Sequence, residues 1–142
     1  MKAISILQPW ATLLVIGAKR YETRSWQTKH RGPLLIHASR RFNETARLLF
    51  GLSPFYEALT RAGYAMAADL PLGALVGQVE IATCIPTESM NDLAEVEKTF
   101  GDFTDGRYAW ETTNAVRFAN PIPTGGTLGV FEVKDELIVN QK

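Results

Sequence analysis

The apolar and polar positions change period several times along the chain, and each change marks an element. Residues 3–7 form a short, apolar, partly β-branched run that reads as a buried strand. Pro9 then suits the first turn of a helix, where its missing N–H would be unpaired anyway. Trp10, Leu13, Leu14 and Gly17 follow at helical spacing, with Gly17 as the stop. Residues 21–26 alternate with period two, which puts Glu22, Arg24 and Trp26 on one side and Tyr21, Thr23 and Ser25 on the other. Neither side is aliphatic, so this strand belongs at a sheet edge or along a pocket. After the Arg31-Gly32-Pro33 turn, residues 34–39 read as a strand with Leu34, Ile36 and Ala38 facing one way and His37 and Ser39 the other. Asn43 is placed to cap a helix running through Ala46, Leu49 and Phe50, and a second helix is expected over 55–62. These helices read as an insertion around 43–68.

The strongest strand pattern covers 74–85. Residues 90–100 have helical spacing on an acidic segment, 108–118 and 127–133 read as strands, and 120–126 is the loop between them. Strands at uneven spacing, interrupted by short helices, predict an α+β fold: a mixed β-barrel decorated with short α-helices, formed as one domain over 1–142.

Composition narrows the classes that remain. With 142 residues, 46% of them hydrophobic, the chain can bury a sizeable core and is not disordered. A single cysteine, Cys84, excludes a disulfide scaffold and fits a reducing compartment. The N-terminal run breaks at Gln8-Pro9, and no stretch approaches the roughly 20 apolar residues a membrane span needs. A cytoplasmic protein without a membrane partner is expected.

The formal net charge is zero, which by itself argues against a polyanionic partner. Its distribution does not. Residues 1–47 carry nine cations and two acids, a surplus of seven positive charges, and the remainder carries the matching negative surplus. Such asymmetry is a hint of nucleic-acid interaction.

Metal and cofactor chemistry have no signature: His30, His37 and Cys84 lack ligand spacing, and Gly125-Gly126 has no phosphate-loop lysine behind it. Ser39 and His37 share one strand without a nucleophile elbow, and so read as polar residues near a barrel mouth. Three segments mix aromatic rings with polar groups: 8–10, 19–26 and 106–111. Rings interleaved with cations suit single-stranded nucleic acid, because bases stack while Lys and Arg meet phosphates. In the middle segment Glu22 stands alone among cations, so it would stay ionised and hold Lys19 or Arg24 in place. A lysine in a partly dry pocket can serve as a general base, whereas Arg24 suits bidentate contact with a phosphate or base edge.

The runs Ile6-Leu-Gln-Pro-Trp-Ala11, Gly17-x-Lys19-x-x-Glu22-x-Arg24-Ser-Trp26 and Arg31-Gly-Pro-Leu-Leu-Ile-His37-Ala-Ser39 resemble the ASCH-domain family. The 73–81 strand, Tyr108-Ala-Trp110, the Pro-Ile-Pro run and the Gly-rich closing strand extend the resemblance over nearly the whole chain. It implies a PUA-like β-barrel with a cleft beside its first helix, walled by Lys19, Glu22 and Arg24, and a protein that acts on RNA. Some small bacterial members resemble enzymes, among them acetylated-cytidine amidohydrolases and ribonucleases. The amidohydrolases place a threonine where this chain has Glu22. Thr23 lies one position on, across the strand, which counts against a threonine nucleophile here, and Glu95 or Glu97 falls where an acidic partner is expected.

The leading expectation is a basic cleft that holds an unstacked base or phosphate of RNA or a nucleotide. Its candidate contacts are Gln8, Trp10, Lys19, Arg24, Trp26, Arg31, His37, Ser39, Arg40, Tyr108 and Trp110, without a metal or cofactor. A hydrolase built from Lys19, Glu22 and Arg24 is the alternative, with Lys19 activating a water or hydroxyl, Glu22 orienting it and Arg24 meeting developing charge. A third reading is a protein-interaction module served by the acidic 90–100 segment.

Overall fold

The computed structural model describes residues 1–139, with strands β1 (Lys2–Ile6), β2 (Tyr21–Arg24), β3 (Gly32–Ala38), β4 (Ala74–Pro86), β5 (Tyr108–Pro123) and β6 (Val130–Glu132). The helices are α1 (Trp10–Val15), α2 (Glu44–Leu49), α3 (Phe55–Arg61) and α4 (Glu95–Phe100), with three short 3₁₀ turns. All six strands join one mixed sheet in the order β2-β5-β4-β3-β1-β6. Only β1 and β3 run parallel, with Ala3 opposite Leu35 and Ile6 opposite Ala38; the other pairs are antiparallel.

The long pair β4 and β5 changes register three times, and β3 against β4 once. Each irregularity bends its strand and adds twist, so the sheet curls into a half-barrel around α1. Ala11, Leu14 and Val15 of α1 pack there against Ile4, Ile6, Leu34, Ile36, Val76, Val79, Ile81 and Trp110. Gly77 marks the closest approach: a Cβ there would come within 2.2 Å of the Val116 carbonyl and 2.7 Å of Val15. On the other face of the sheet Ala3, Leu35, Leu75, Phe118, Val133 and Ile138 form a second cluster. Both faces of β3 are therefore buried, which is why Leu34, Leu35 and Ile36 are apolar at successive positions. A third cluster joins Leu13 of α1 to Phe50, Phe55 and Leu59 of the inserted helices and to Phe100 of α4.

The Asn43 cap forms as the sequence predicts, its side-chain oxygen accepting the Ala46 N–H at 2.8 Å. Several boundaries move. The helix expected over 90–100 begins only at Glu95, because Asp92 takes a left-handed φ of 57° that a helix cannot contain. The 120–126 loop loses its first residues to β5, which continues through Pro121 to Pro123 opposite Ala74. Two prolines are tolerated there because β2 covers β5 only from Tyr108 to Glu111, leaving the distal edge free. β2 ends at Arg24, so Trp26 lies outside the strand, and β6 is cut to three residues. No helix among the described residues is long and apolar enough to cross a membrane.

Candidate functional site

Curling brings β2, one edge of the sheet, close to β1 without a ladder between them. β6 pairs with β1 only over Lys2–Ile4, so the Ser5 carbonyl lies past its end, and Arg24 Nη2 donates to it at 3.2 Å. A cleft of about 530 Å³ occupies this seam, walled by Ser5 and Trp10 on one side and Lys19, Glu22, Thr23 and Arg24 on the other. Phe100 to Asp102 and Arg107 close its third side.

The Gly-x-Lys spacing has a structural cause. Gly17 leaves α1 with a φ of 78°, and the Lys19 N–H then bonds back to the Leu13 carbonyl at 3.0 Å. This turn directs the Lys19 side chain inward, where it is only 2% exposed. Its Nζ donates to the Tyr21 carbonyl and, at 3.2 Å, to Glu22 Oε1. Glu22 Oε2 accepts from Arg24 Nε at 2.9 Å. One carboxylate thus holds both cations, and Arg24 is fixed at its other end by Ser5. On the opposite rim Arg107 donates to the carbonyls of Asp102 and Thr23, at 3.1 and 3.0 Å, and its Nε stands 3.6 Å from the Asp102 carboxylate. The Thr104 hydroxyl and N–H, with help from Arg107, hold the Asp102 carboxyl below the usual aspartate range. Lys19, Arg24 and Arg107 thus face two acidic side chains, Glu22 and Asp102, so basic residues outnumber acidic ones in the lining of the cleft.

The floor is anchored from α4. Glu97 Oε2 accepts the Arg20 N–H at 2.8 Å, while its buried Oε1 has no hydrogen-bond partner. Burial pushes the Glu97 carboxyl above the ordinary glutamate value, against the opposing pull of the Arg20 and Tyr21 N–H groups and the Lys19 charge. The Arg20 carbonyl in turn accepts from both the N–H and the hydroxyl of Thr112, each at 2.8 Å.

Of the residues the sequence singles out, Trp10, Lys19, Glu22 and Arg24 line this cleft. Gln8 does not: it is fully buried and bridges the Thr12 N–H and the Pro71 carbonyl. Trp110 is 0% exposed in the core and donates its indole N–H to the Trp26 carbonyl, so its ring has no free face for a base. Trp26 packs edge-on to it at 4.8 Å, with part of its own ring in solvent. Tyr108 packs against the same core, paired in the ladder with Arg24. Arg31 caps the Thr28 and His30 carbonyls beside a separate depression that includes Lys29 and Cys84. His37, Ser39 and Arg40 meet at another pocket, of about 310 Å³, across β1 from the cleft. The candidate residues are thus divided among three separate depressions where the sequence suggested one cleft, and two of these, the seam cleft and the His37 pocket, meet at Ser5.

Thr23, expected across the strand from Glu22, also faces the cleft, and its hydroxyl accepts the Asp102 N–H at 3.3 Å. The free edge of β2 explains this, since the cleft runs over that edge and reaches both faces. Ser5 and Asp102 were not singled out, and Arg107 entered only as part of the 106–111 segment, with no role of its own. A serine inside the apolar 3–7 run was the available signal for the first, and an arginine beside Gly106 and Tyr108 for the last. Among the described residues no cluster of His, Cys, Asp or Glu is placed to hold a metal ion.

Comparison with known proteins agrees with this architecture. A family model of the ASCH domain matches residues 4–123. Activating signal cointegrator 1 of Mus musculus is 36% identical over 134 residues, 94% of this chain, and its Homo sapiens counterpart is 36% identical over 89 residues, 63% of the chain. The chain spans only 22% and 15% of those two proteins. The crystal structure of ASCH from Zymomonas mobilis superposes with a TM-score of 0.57 at 12% identity, covering 97% of this chain and 90% of that one. That likeness shows the fold, an α+β half-barrel of the PUA-like kind.

Proposed function

The chain belongs to the ASCH-domain family, and we propose that its seam cleft binds RNA by holding an unstacked base or nucleotide. The observation that supports this reading most is the Lys19–Glu22–Arg24 chain of ion pairs. It fixes a guanidinium at the mouth of a concave pocket whose other wall carries the Trp10 ring. A planar donor opposite an aromatic face is the combination that recognises a splayed base with its phosphate. Lys19 supports the site from below: its ammonium is shared between a carboxylate and a carbonyl, the role of a buried counter-ion rather than of a base.

The test is RNA binding by fluorescence anisotropy across a salt series. Arg24→Ala is expected to weaken binding about tenfold or more, the loss of a charge-assisted contact, and Trp10→Leu to weaken it with little change in salt dependence. Binding indifferent to both substitutions and to salt overturns the reading. Hydrolysis in the same cleft, of acetylated cytidine or of RNA, is the second reading, favoured by the Thr23 hydroxyl beside Glu22 and Lys19. Turnover of either substrate that Arg24→Ala abolishes would establish it in place of simple binding.

A further inference from the structure

Ser5 separates two pockets. Its carbonyl faces Arg24 and the cleft, whereas its side chain belongs to the pocket formed with His37, Ser39, Arg40, Arg41, Gly125 and Gly126. His37 is buried there, with Nε2 2.7 Å from the Thr124 carbonyl and Nδ1 2.9 Å from Ser5 Oγ. A carbonyl only accepts, so Nε2 carries a proton, and in the neutral ring the Ser5 hydroxyl then donates to Nδ1. This pair is the base on which the pocket is built.

Two glycines shape what stands on that base. A Cβ at Gly126 would lie 2.7 Å from the His37 ring and 3.2 Å from Ser5 Oγ, so the 124–126 loop lies flush on the pair only because it has no side chain there. Gly73, with a φ of 62°, donates its N–H to the Ala38 carbonyl at 2.8 Å and accepts the Thr124 N–H at 3.1 Å. One residue therefore ties the end of β3, which leads into Ser39 and Arg40, to the start of the glycine loop. A Cβ on Gly73 would also reach within 2.8 Å of Arg40 Cγ, so the Arg40 stem rests on its bare backbone.

Neither the Arg40 nor the Arg41 guanidinium has a hydrogen-bond or ion-pair partner among the described residues; Arg41 is bonded only through its main-chain N–H, to Ser39 Oγ. The Gly125 and Gly126 N–H groups likewise make no main-chain hydrogen bond. Two unpaired guanidinium groups, a hydroxyl and two open amides around one concavity form a donor set for a tetrahedral dianion.

We infer that this pocket is a second phosphate subsite, so that a ligand with two phosphate groups spans β1, one group at Arg24 and the other at Arg40 and Arg41. The two-site ligand rests on the cleft reading; the phosphate chemistry of the second pocket does not.

Calorimetry with a nucleoside 5′-monophosphate and the corresponding 3′,5′-bisphosphate tests it. The bisphosphate is expected to bind tenfold or more tightly than the monophosphate to the native chain, and no more tightly than the monophosphate to Arg40→Ala/Arg41→Ala. Gly126→Ala, which lifts the loop while keeping every cation, should act like the double variant. Equal binding of the two nucleotides by the native chain, or a preference that survives the double substitution, overturns the two-phosphate ligand. Inorganic phosphate titrated into labelled protein separates the two readings. Shifts of the Gly125 and Gly126 amides without nucleotide binding retain the subsite and reject the cleft, and no shift of those amides rejects the subsite.

Discussion

In the cleft, Lys19 and Arg24 share the Glu22 carboxylate and find further acceptors in the Tyr21 and Ser5 carbonyls, while across β1 the Arg40 and Arg41 guanidinium groups have no such partners among the described residues. Both pockets are basic in composition, yet their charges act differently. Paired cations hold a fixed geometry and project little field, so they select shape. Unpaired cations on the surface project their field into solvent, draw a polyanion in and respond strongly to salt. Counting lysines and arginines along the sequence weighs both kinds equally, which is why the first 47 residues looked like one basic surface.

The largest expected effect separates the pockets by stability. Glu22→Ala strands the buried Lys19 ammonium and should cost roughly 3–5 kcal/mol in chemical denaturation, whereas Arg40→Ala should stay within about 0.5 kcal/mol. Comparable losses at both would erase the distinction. Next is stacking: Trp10→Leu should lower RNA affinity by roughly 1–3 kcal/mol, with the salt slope intact. The salt slope itself sharpens the contrast. Removing Arg40 or Arg41 should flatten the plot of log affinity against log salt by about 0.7 each, and removing Arg24 by less, because part of its charge is offset by the Glu22 carboxylate it shares with Lys19.

The smallest effect concerns the support beneath the cleft. An unfolded glutamate releases its proton near 4.5, and burial keeps Glu97 protonated to higher pH than that. Above 4.5 the unfolded chain therefore binds fewer protons than the folded one, and stability falls as pH rises until Glu97 ionises in the fold. Glu97→Gln removes this loss, so its melting temperature relative to the native chain should rise between pH 4 and pH 7. A difference that is flat with pH would show that Glu97 does not titrate in this window.

What the sequence revealed depended on whether the cause was local. The Gly17 stop and the Asn43 cap act within a few residues, and the structure keeps them. Lys19, Glu22 and Arg24 were legible as a group because a turn and a four-residue strand suffice to bring them together. The fates of Gln8, His37 and Trp110 were not, since each is fixed by partners far along the chain: Pro71, Thr124 and Trp26. The prolines of 121–123 suggested a loop because the sequence does not reveal that β2 stops short and leaves that edge of β5 free. The division into two pockets follows from which residues lie either side of Ser5, a property of the curled sheet.

The seam itself has a consequence for dynamics. Between β1 and β2 a single guanidinium, rather than a ladder, spans the open side of the half-barrel. An anion that recruits Arg24 competes with the Ser5 carbonyl for the same hydrogens. Occupancy and local breathing are then coupled: a ligand that pulls Arg24 away loosens the seam, and one that bridges Arg24 to β1 tightens it. Amide hydrogen exchange along 21–24 would rise in the first case and slow in the second, so the protein's own motion reports how its ligand is seated.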